Sequence, residues 1–224
     1  GHHIDCVPCV PGPLYLHIAR AAMNASGDGD AITMESGLIN SIFFLHEDVS
    51  IDVVTSMENV NGVSVVKVSS QSDGPQVTHS TLHVSKASKP KVLQLDRAGI
   101  QARCSKTVDP ATFYRDLAQL WLGEFRSMQK AWTRHGEALI KIRFDNMRTE
   151  PMLRGCVWNE VGGTTGLLAL QEDINSEAAL PPNFAGRPVY AIGMGSVHFA
   201  LARSMQTRVM WAHHDCRTRI FNSA

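Results

Sequence analysis

The first nineteen residues, GHHIDCVPCVPGPLYLHIA, constrain this chain more than any other stretch. Pro11 and Gly12 force a tight turn, and Pro13 suits the first position of a helix, where its missing N–H would be unpaired anyway. Leu14, Ile18, Ala21, Ala22 and Ala25 follow at helical spacing and make one apolar stripe that must be buried. The spacing predicts a helix over residues 13–25, ended by the Ser26-Gly27-Asp28-Gly29-Asp30 cluster. The turn also fixes His2 or His3 relative to the helix mouth, where a titratable imidazole could act on a substrate. The plainer alternative is that both histidines belong to a solvated terminus.

Length and charge narrow the function classes. A chain of 224 residues can hold one large domain or two small ones with a sizeable core. Lys plus Arg number 21 and Asp plus Glu number 21, so no basic stripe or acidic tail points to nucleic acid or an anionic membrane. No apolar run approaches the roughly 20 residues that span a bilayer, and no secretory signal opens the sequence. A cytoplasmic location is the expectation. The five cysteines, Cys6, Cys9, Cys104, Cys156 and Cys216, form an odd, scattered set. Cys6-x-x-Cys9 has redox or zinc spacing but lacks a second pair, so free thiols are expected rather than a metal or redox site.

Strand-like segments follow the helix. Leu38 to Leu45 is almost continuously apolar, and Ile51, Val53, Thr55 and Met57 alternate with polar partners. Asn61-Gly62 marks a hairpin turn into Val63–Val68, and residues 76–84 read as a further strand. The segment 85–91 is polar and broken by Pro90, like a connector. Asp109 before Pro110 is an N-cap candidate for a short helix carrying Phe113, Leu117 and Leu120. Strands are expected at 125–133 and 137–144 around His135-Gly136, then a helix from Met152 to about Leu170, weakened by Gly162, Gly163 and Gly166. Strands at 188–199, 206–213 and 217–222 close the chain. Each half thus offers one helix and several antiparallel strands, an α+β pattern of two units packed side by side.

The opening segment resembles the N-terminal half of the dehydratase domains of polyketide and fatty-acid synthases. That family carries His, three residues, Gly, four residues, then Pro-Gly and a helix of the form aromatic-Leu-x-x-Ala. His2, Cys6, Pro11, Gly12, Leu14, Tyr15 and Ala19 fall on this frame, with Cys6 where the family has glycine. Product-template cyclase domains share a related opening. Phe113-Tyr114-Arg115-Asp116-Leu117 and Gly123-Glu124-Phe125-Arg126 resemble the family's Tyr-x-x-Leu helix and the strand entry after it, although the Tyr-Gly-Pro triplet is missing. The resemblance implies a double hot-dog, two antiparallel sheets each wrapped around a central helix. It covers 1–224 as a single dehydratase-like domain, with an N-terminal hot-dog half at 1–88, a connector at 89–111 and a C-terminal half at 112–224. Leu14, Ile18, Leu153 and Val157 are expected to face inward.

A β-hydroxyacyl dehydratase needs a base for the α-proton and an acid for the departing β-hydroxyl, with a backbone N–H supporting the thioester carbonyl. The resemblance makes His2 the base. The family's acid is an aspartate within His-Pro-x-Leu-Leu-Asp-x-x-x-Gln or -His, for which Glu150-Pro151-Met152-Leu153-Arg154-Gly155-Cys156-Val157-Trp158-Asn159 is the counterpart. Gly155 stands at the aspartate position and Asn159 at the Gln/His position, four residues apart on one helical face. Asn159 is the second candidate catalytic residue, able to hydrogen-bond a hydroxyl but not to deliver a proton. Glu160 is rotated about 100° from Asn159 and is expected to face away. Pro11, Gly12, Tyr15, Gly155 and Phe125 are the candidate substrate-binding residues.

Three readings fit the missing aspartate. A shifted acid, Glu150, Glu160 or Asp173, restores dehydration. The pocket instead performs double-bond migration or ring closure with His2 alone. Or the domain is catalytically silent, kept for packing or carrier-protein docking. None needs a metal or organic cofactor. His213-His214-Asp215-Cys216 alternates across a strand, His79 and His83 share a strand face without an acidic or thiol partner, and His198 reads as a strand histidine. Gly193-Met194-Gly195 lacks a nucleotide loop's third glycine, and no Gly-x-Ser-x-Gly elbow occurs. The partners implied are an acyl carrier protein with its phosphopantetheine-linked substrate and neighbouring synthase domains, and a homodimer is allowed.

Overall fold

In the computed structural model the residues described are 2–4, 6–27, 32–47, 49–71, 74–86, 95–116, 123–143, 156–157, 160–161, 163, 166, 168–169, 193–194, 197–199 and 209–215. The chain opens with a small hairpin, β1 (His3–Ile4) and β2 (Val7–Pro8), and enters helix α1 (Gly12–Ala25). Pro11 is the extended N-cap, so the helix begins one residue earlier than expected and Pro13 sits at its second position. Ser26 caps the other end, its amide bonded to the Ala22 carbonyl and its hydroxyl to that of Met23.

An antiparallel sheet packs on α1. Strands β3 (Ile32–Ile39), β4 (Asp52–Val60), β5 (Val63–Gln71) and β6 (Val77–Lys86) lie in the order β3-β6-β5-β4. Asn61 and Gly62 both take positive φ, 55° and 85°, the geometry a two-residue hairpin of this hand demands. Tyr15, Leu16, Ala19 and Met23 of α1 pack against Ile32, Met34, Val66, Val68, Leu82 and Val84. The buried stripe therefore lies one step round the helix from the one expected. Leu14 and Ile18 are half-buried, while Ala21 and Ala25 face outward. Tyr15, Leu16 and Met23 on this face bury more apolar area than Ala21, Ala22 and Ala25 would on the other, worth about 1.5–3 kcal/mol per fully buried Leu, Met or aromatic residue.

The strand expected at Leu38–Leu45 lies instead at Ile32–Ile39. Alternation decides this: Ile32 and Met34 point into the core, whereas the apolar run beyond residue 40 divides between two destinations. Phe43 stacks on His79, and Phe44 packs on the other core. Every residue of β4 is exposed, since it is the far edge of the sheet.

The second sheet has the order β12-β9-β8-β7, built from β7 (Lys106–Val108), β8 (Met128–Arg134), β9 (Glu137–Arg143) and β12 (Val209–Asp215). Gly136, at φ 70°, turns the hairpin expected at His135-Gly136. Helix α2 (Arg97–Arg103) and β7 fall within the range read as connector. Helix α3 (Pro110–Asp116) is capped as expected, the Asp109 carboxylate accepting from the Thr112 amide at 2.9 Å. Residues 123–125 form a 3-10 turn, so β8 starts at Met128 rather than at 125. Helical residues between 156 and 169 supply Val157, Val161, Leu168 and Ala169 to this core.

Two crossings tie the sheets together. Ile4 and Cys9, from the N-terminal hairpin, sit in the core of the second sheet. In return, β10 (Gly193–Met194) and β11 (Val197–Phe199) pair antiparallel with β3 of the first. The fold is α+β, with antiparallel sheets and a hot-dog arrangement of sheet on helix. No helix among the described residues is long and apolar enough to cross a membrane.

Candidate functional site

The N-terminal hairpin places the site. His3 pairs with Pro8 and Ile4 with Val7, so the next rung sets His2 opposite Cys9, whose amide bonds the His2 carbonyl at 3.1 Å. Cys6 turns the hairpin in the left-handed region, φ 65°, a conformation that costs a β-carbon. Segment 43–45 braces the other side of β2. Val10 donates to the Phe43 carbonyl, Leu45 to the Pro8 carbonyl, and Cys9 forms a bridge with Phe44.

Cross-strand pairing brings the His2 and Cys9 side chains together, with Nδ1 of His2 3.1 Å from the Cys9 Sγ. The other ring nitrogen, Nε2, lies 3.4 Å from Oε1 of Glu160. Both partners of this ion pair are mostly buried, at 14% and 15% side-chain exposure. Burial alone would push His2 toward the neutral form. The hydrogen bonds to Cys9 and Glu160, with the Glu160 charge, outweigh it and raise His2 from 6.5 to about 9. At neutral pH the site therefore holds one proton between an imidazole and a carboxylate.

Glu160 thus faces His2, against the expectation that it turns away. The sequence did carry a signal. Cys156, Val157 and Val161 are buried, and Glu160 lies four residues after the first and three after the second, on the inner face of the same helix. Burial and the nearby Glu160 charge push the Cys156 thiol up to about 12. Gly155 and Asn159, expected at the family's acid and amide positions, lie outside the described residues, as do Glu150 and Asp173.

The other expected residues are placed as follows. Phe125 is half-buried, its ring centroid 6.1 Å from that of His2 at a 59° tilt. It is held there by the buried Tyr114 hydroxyl, which accepts from the Met128 amide at 3.0 Å and donates to the Phe125 carbonyl at 3.3 Å. Pro11 and Gly12 open α1, and Gly12 as first residue carries an amide that no helical carbonyl takes. Tyr15 is 1% exposed, and its hydroxyl has no hydrogen-bond partner among the described residues. Burial, and secondarily the Cys9 charge, keep that hydroxyl protonated, hence a donor. His3 points away from the pair, as alternation requires, with its Nδ1 buried and without a hydrogen-bond partner among the described residues.

His79, outside the site, has structural surroundings. His79 is buried, stacked on Phe43 at 4.2 Å, with Nε2 2.8 Å from the Ser70 Oγ and Nδ1 3.3 Å from the Ser41 carbonyl. His213 and His214 are consecutive residues of β12. Among the described residues no group of three or more His, Cys, Asp or Glu side chains is placed to hold a metal ion.

No protein-family model matches this sequence, and no curated protein is significantly similar to it. Solved structures do match. The dehydratase domain from the CurF module of the curacin polyketide synthase superposes with a TM-score of 0.77 at 19% identity, covering 97% of this chain and 77% of that one. The CurK dehydratase was solved as two inactive mutants. The histidine-to-phenylalanine form gives 0.72 at 15% identity, and the aspartate-to-asparagine form 0.67 at 17%, each covering 96% of this chain and 74% of that one. The dehydratase domain of PpsC from Mycobacterium tuberculosis, in complex with C12:1-CoA, gives 0.63 at 18%, covering 87% and 69%. The chain has the fold of the dehydratase domains of polyketide synthases.

Proposed function

We propose that this chain dehydrates 3-hydroxyacyl thioesters, with His2 taking the α-proton and Glu160 protonating the departing hydroxyl. The contact of His2 Nε2 with Glu160 Oε1 at 3.4 Å carries the reading. Its proton count suits the reaction. Passing the shared proton from imidazolium to carboxylate gives a neutral base beside a protonated acid, the state elimination requires. Elimination moves the α-proton to His2 Nε2, forms the α,β double bond, and releases the hydroxyl as water with the Glu160 proton. The pair returns to imidazolium and carboxylate without a cofactor.

The remaining groups fit an acyl thioester. The Gly12 amide, at the positive end of α1, suits the carbonyl oxygen as charge develops on it. Phe125 gives the acyl chain an apolar wall, and the Tyr15 hydroxyl, without a hydrogen-bond partner among the described residues, offers a further donor. With Glu160 against His2, dehydration needs no carboxylate at position 155. Two solved neighbours bear on the chemistry: the CurK dehydratase is inactive when a histidine or an aspartate is replaced, and PpsC was captured with an acyl-CoA. By extension, the physiological substrate hangs on the phosphopantetheine arm of an acyl carrier protein beside neighbouring synthase domains.

The test is turnover of a 3-hydroxyacyl pantetheine thioester, followed by mass spectrometry for the enoyl product. His2→Ala and Glu160→Gln should each abolish it. Full dehydration by Glu160→Gln would remove Glu160 as the acid, and an inert parent chain would favour the silent domain.

A further inference from the structure

We propose that Cys9 is a positioning residue for His2, its sulfur holding a proton on Nδ1 so that Nε2 is left to exchange protons with Glu160 and substrate. This rests on the acid–base reading above. An imidazole that works as a base through Nε2 needs its lone pair there, so its own proton must sit on Nδ1. The Cys9 Sγ, 3.1 Å away, is the acceptor the structure provides for that N–H. Cys9 is 3% exposed and belongs to the core of the second sheet. It occupies one ring nitrogen while Glu160 occupies the other, so it touches no reacting atom.

Sulfur keeps the same role through the cycle. In the resting imidazolium, Nδ1–H donates to Sγ and Nε2–H donates to Glu160. When the Nε2 proton passes to Glu160, Nδ1–H stays on sulfur and the base is formed in the right tautomer. Were the thiol instead to donate its own S–H to Nδ1, the ring would keep its proton on Nε2. It could then take nothing from the substrate. The hairpin enforces the contact, since the His3–Pro8 and Ile4–Val7 pairs leave residues 2 and 9 on the next rung.

Substitutions separate positioning from packing because they rank in opposite orders. A packing role favours Cys9→Ala, which stays apolar, over Cys9→Ser, which buries a hydroxyl. Positioning favours Cys9→Ser, whose Oγ still accepts from Nδ1–H. Cys9→Ala should lower kcat about tenfold, the loss of one ordinary hydrogen bond, with KM within about twofold, and Cys9→Ser should recover most of it. The direct readout is 15N NMR of histidine-labelled protein at a pH above about 9. Wild type and Cys9→Ser should show His2 protonated at Nδ1, and Cys9→Ala a shift toward Nε2–H. Wild-type His2 carrying its proton on Nε2 overturns the proposal, as does a Cys9→Ala protein with wild-type tautomer and kcat. The NMR arm uses no substrate. A chain that turns nothing over but holds Nδ1–H refutes the dehydratase reading and leaves the positioning intact.

Discussion

Replacing Glu160 with Gln removes one charge and little volume, and it tests the electrostatics of the site directly. His2 is buried, which by itself disfavours its charged form. Its hydrogen bonds to Cys9 and Glu160, together with the Glu160 carboxylate, raise it from 6.5 to about 9. That gap corresponds to about 3 kcal/mol of tighter proton binding by the folded state. Because the folded value lies above the unfolded one, the stabilisation is complete below pH 6.5 and is lost as pH rises through about 9. Glu160→Gln removes part of what opposes burial and leaves the Cys9 hydrogen bond, so His2 should titrate clearly below the wild-type value of about 9. The alkaline loss of stability should shrink with it. Imidazole NMR shifts followed from about pH 5 to 10.5, with urea unfolding at both ends, measure the two effects independently. On the proposed mechanism the same pair sets the rate profile. For wild type, kcat/KM should stay level through neutral pH and fall above about 9, where the pair loses the proton shared between Nε2 and Glu160. A Glu160→Gln protein whose His2 still titrates near 9 would refute the argument. So would a wild-type profile that keeps rising through pH 9.

Three further outcomes follow from other parts of the fold. Cys6→Gly should stabilise the chain by about 1 kcal/mol in denaturant unfolding, because Cys6 is exposed and held at φ 65° where a β-carbon is strained. Glu137→Gln should cost about 1.5–3 kcal/mol, since this fully buried carboxylate takes Arg103 from α2 and Arg134 from β8, each with a contact of 2.6 Å, and the arginines left behind are about a third exposed. Burial lowers His79, against a smaller opposing effect of the Ser41 carbonyl, so its neutral form stabilises the fold and that contribution fades as pH falls below about 6.5. Hydrogen exchange at the Val10 and Leu45 amides should then quicken, because His79 clamps the segment that braces β2.

Where local chemistry decides the conformation, the sequence was legible. The Pro11-Gly12 entry, the Asn61-Gly62 turn and the Asp109 cap each rest on constraints confined to a few neighbouring residues, and α1, the β4–β5 hairpin and α3 appear where those constraints place them. Apolar content without alternation was a poorer guide. The run from Leu38 to Leu45 looked like a strand because it is apolar, yet Phe43 stacks on His79 while Phe44 packs on the second sheet's core, and no periodicity reports that. The crossing of β10 and β11 onto β3 is invisible for the same reason, since it joins residues about 160 apart in sequence.

The site divides along the same line. A family frame drew attention to positions 155 and 159 and took the face of Asn159 as the inner one. The helix's own apolar spacing, Cys156, Val157 and Val161, places Glu160 on the buried face. A carboxylate on a buried stripe costs several kcal/mol unless something pairs it, so its position alone called for a cation across the core. Cys9 was legible by similar logic. A two-rung hairpin closed at Cys6 fixes residue 9 opposite residue 2, whereas Cys6-x-x-Cys9 spacing invites a metal reading that separates the two thiols from His2. What remained beyond the sequence is the docking of hairpin against helix, which brings residue 2 to residue 160. That contact arises because Ile4 and Cys9 are buried in the second sheet's core rather than the first. The N-terminal hairpin therefore does more than lead into α1. By burying Ile4 and Cys9 in the core of the second sheet, it sets the contact between His2 and Glu160.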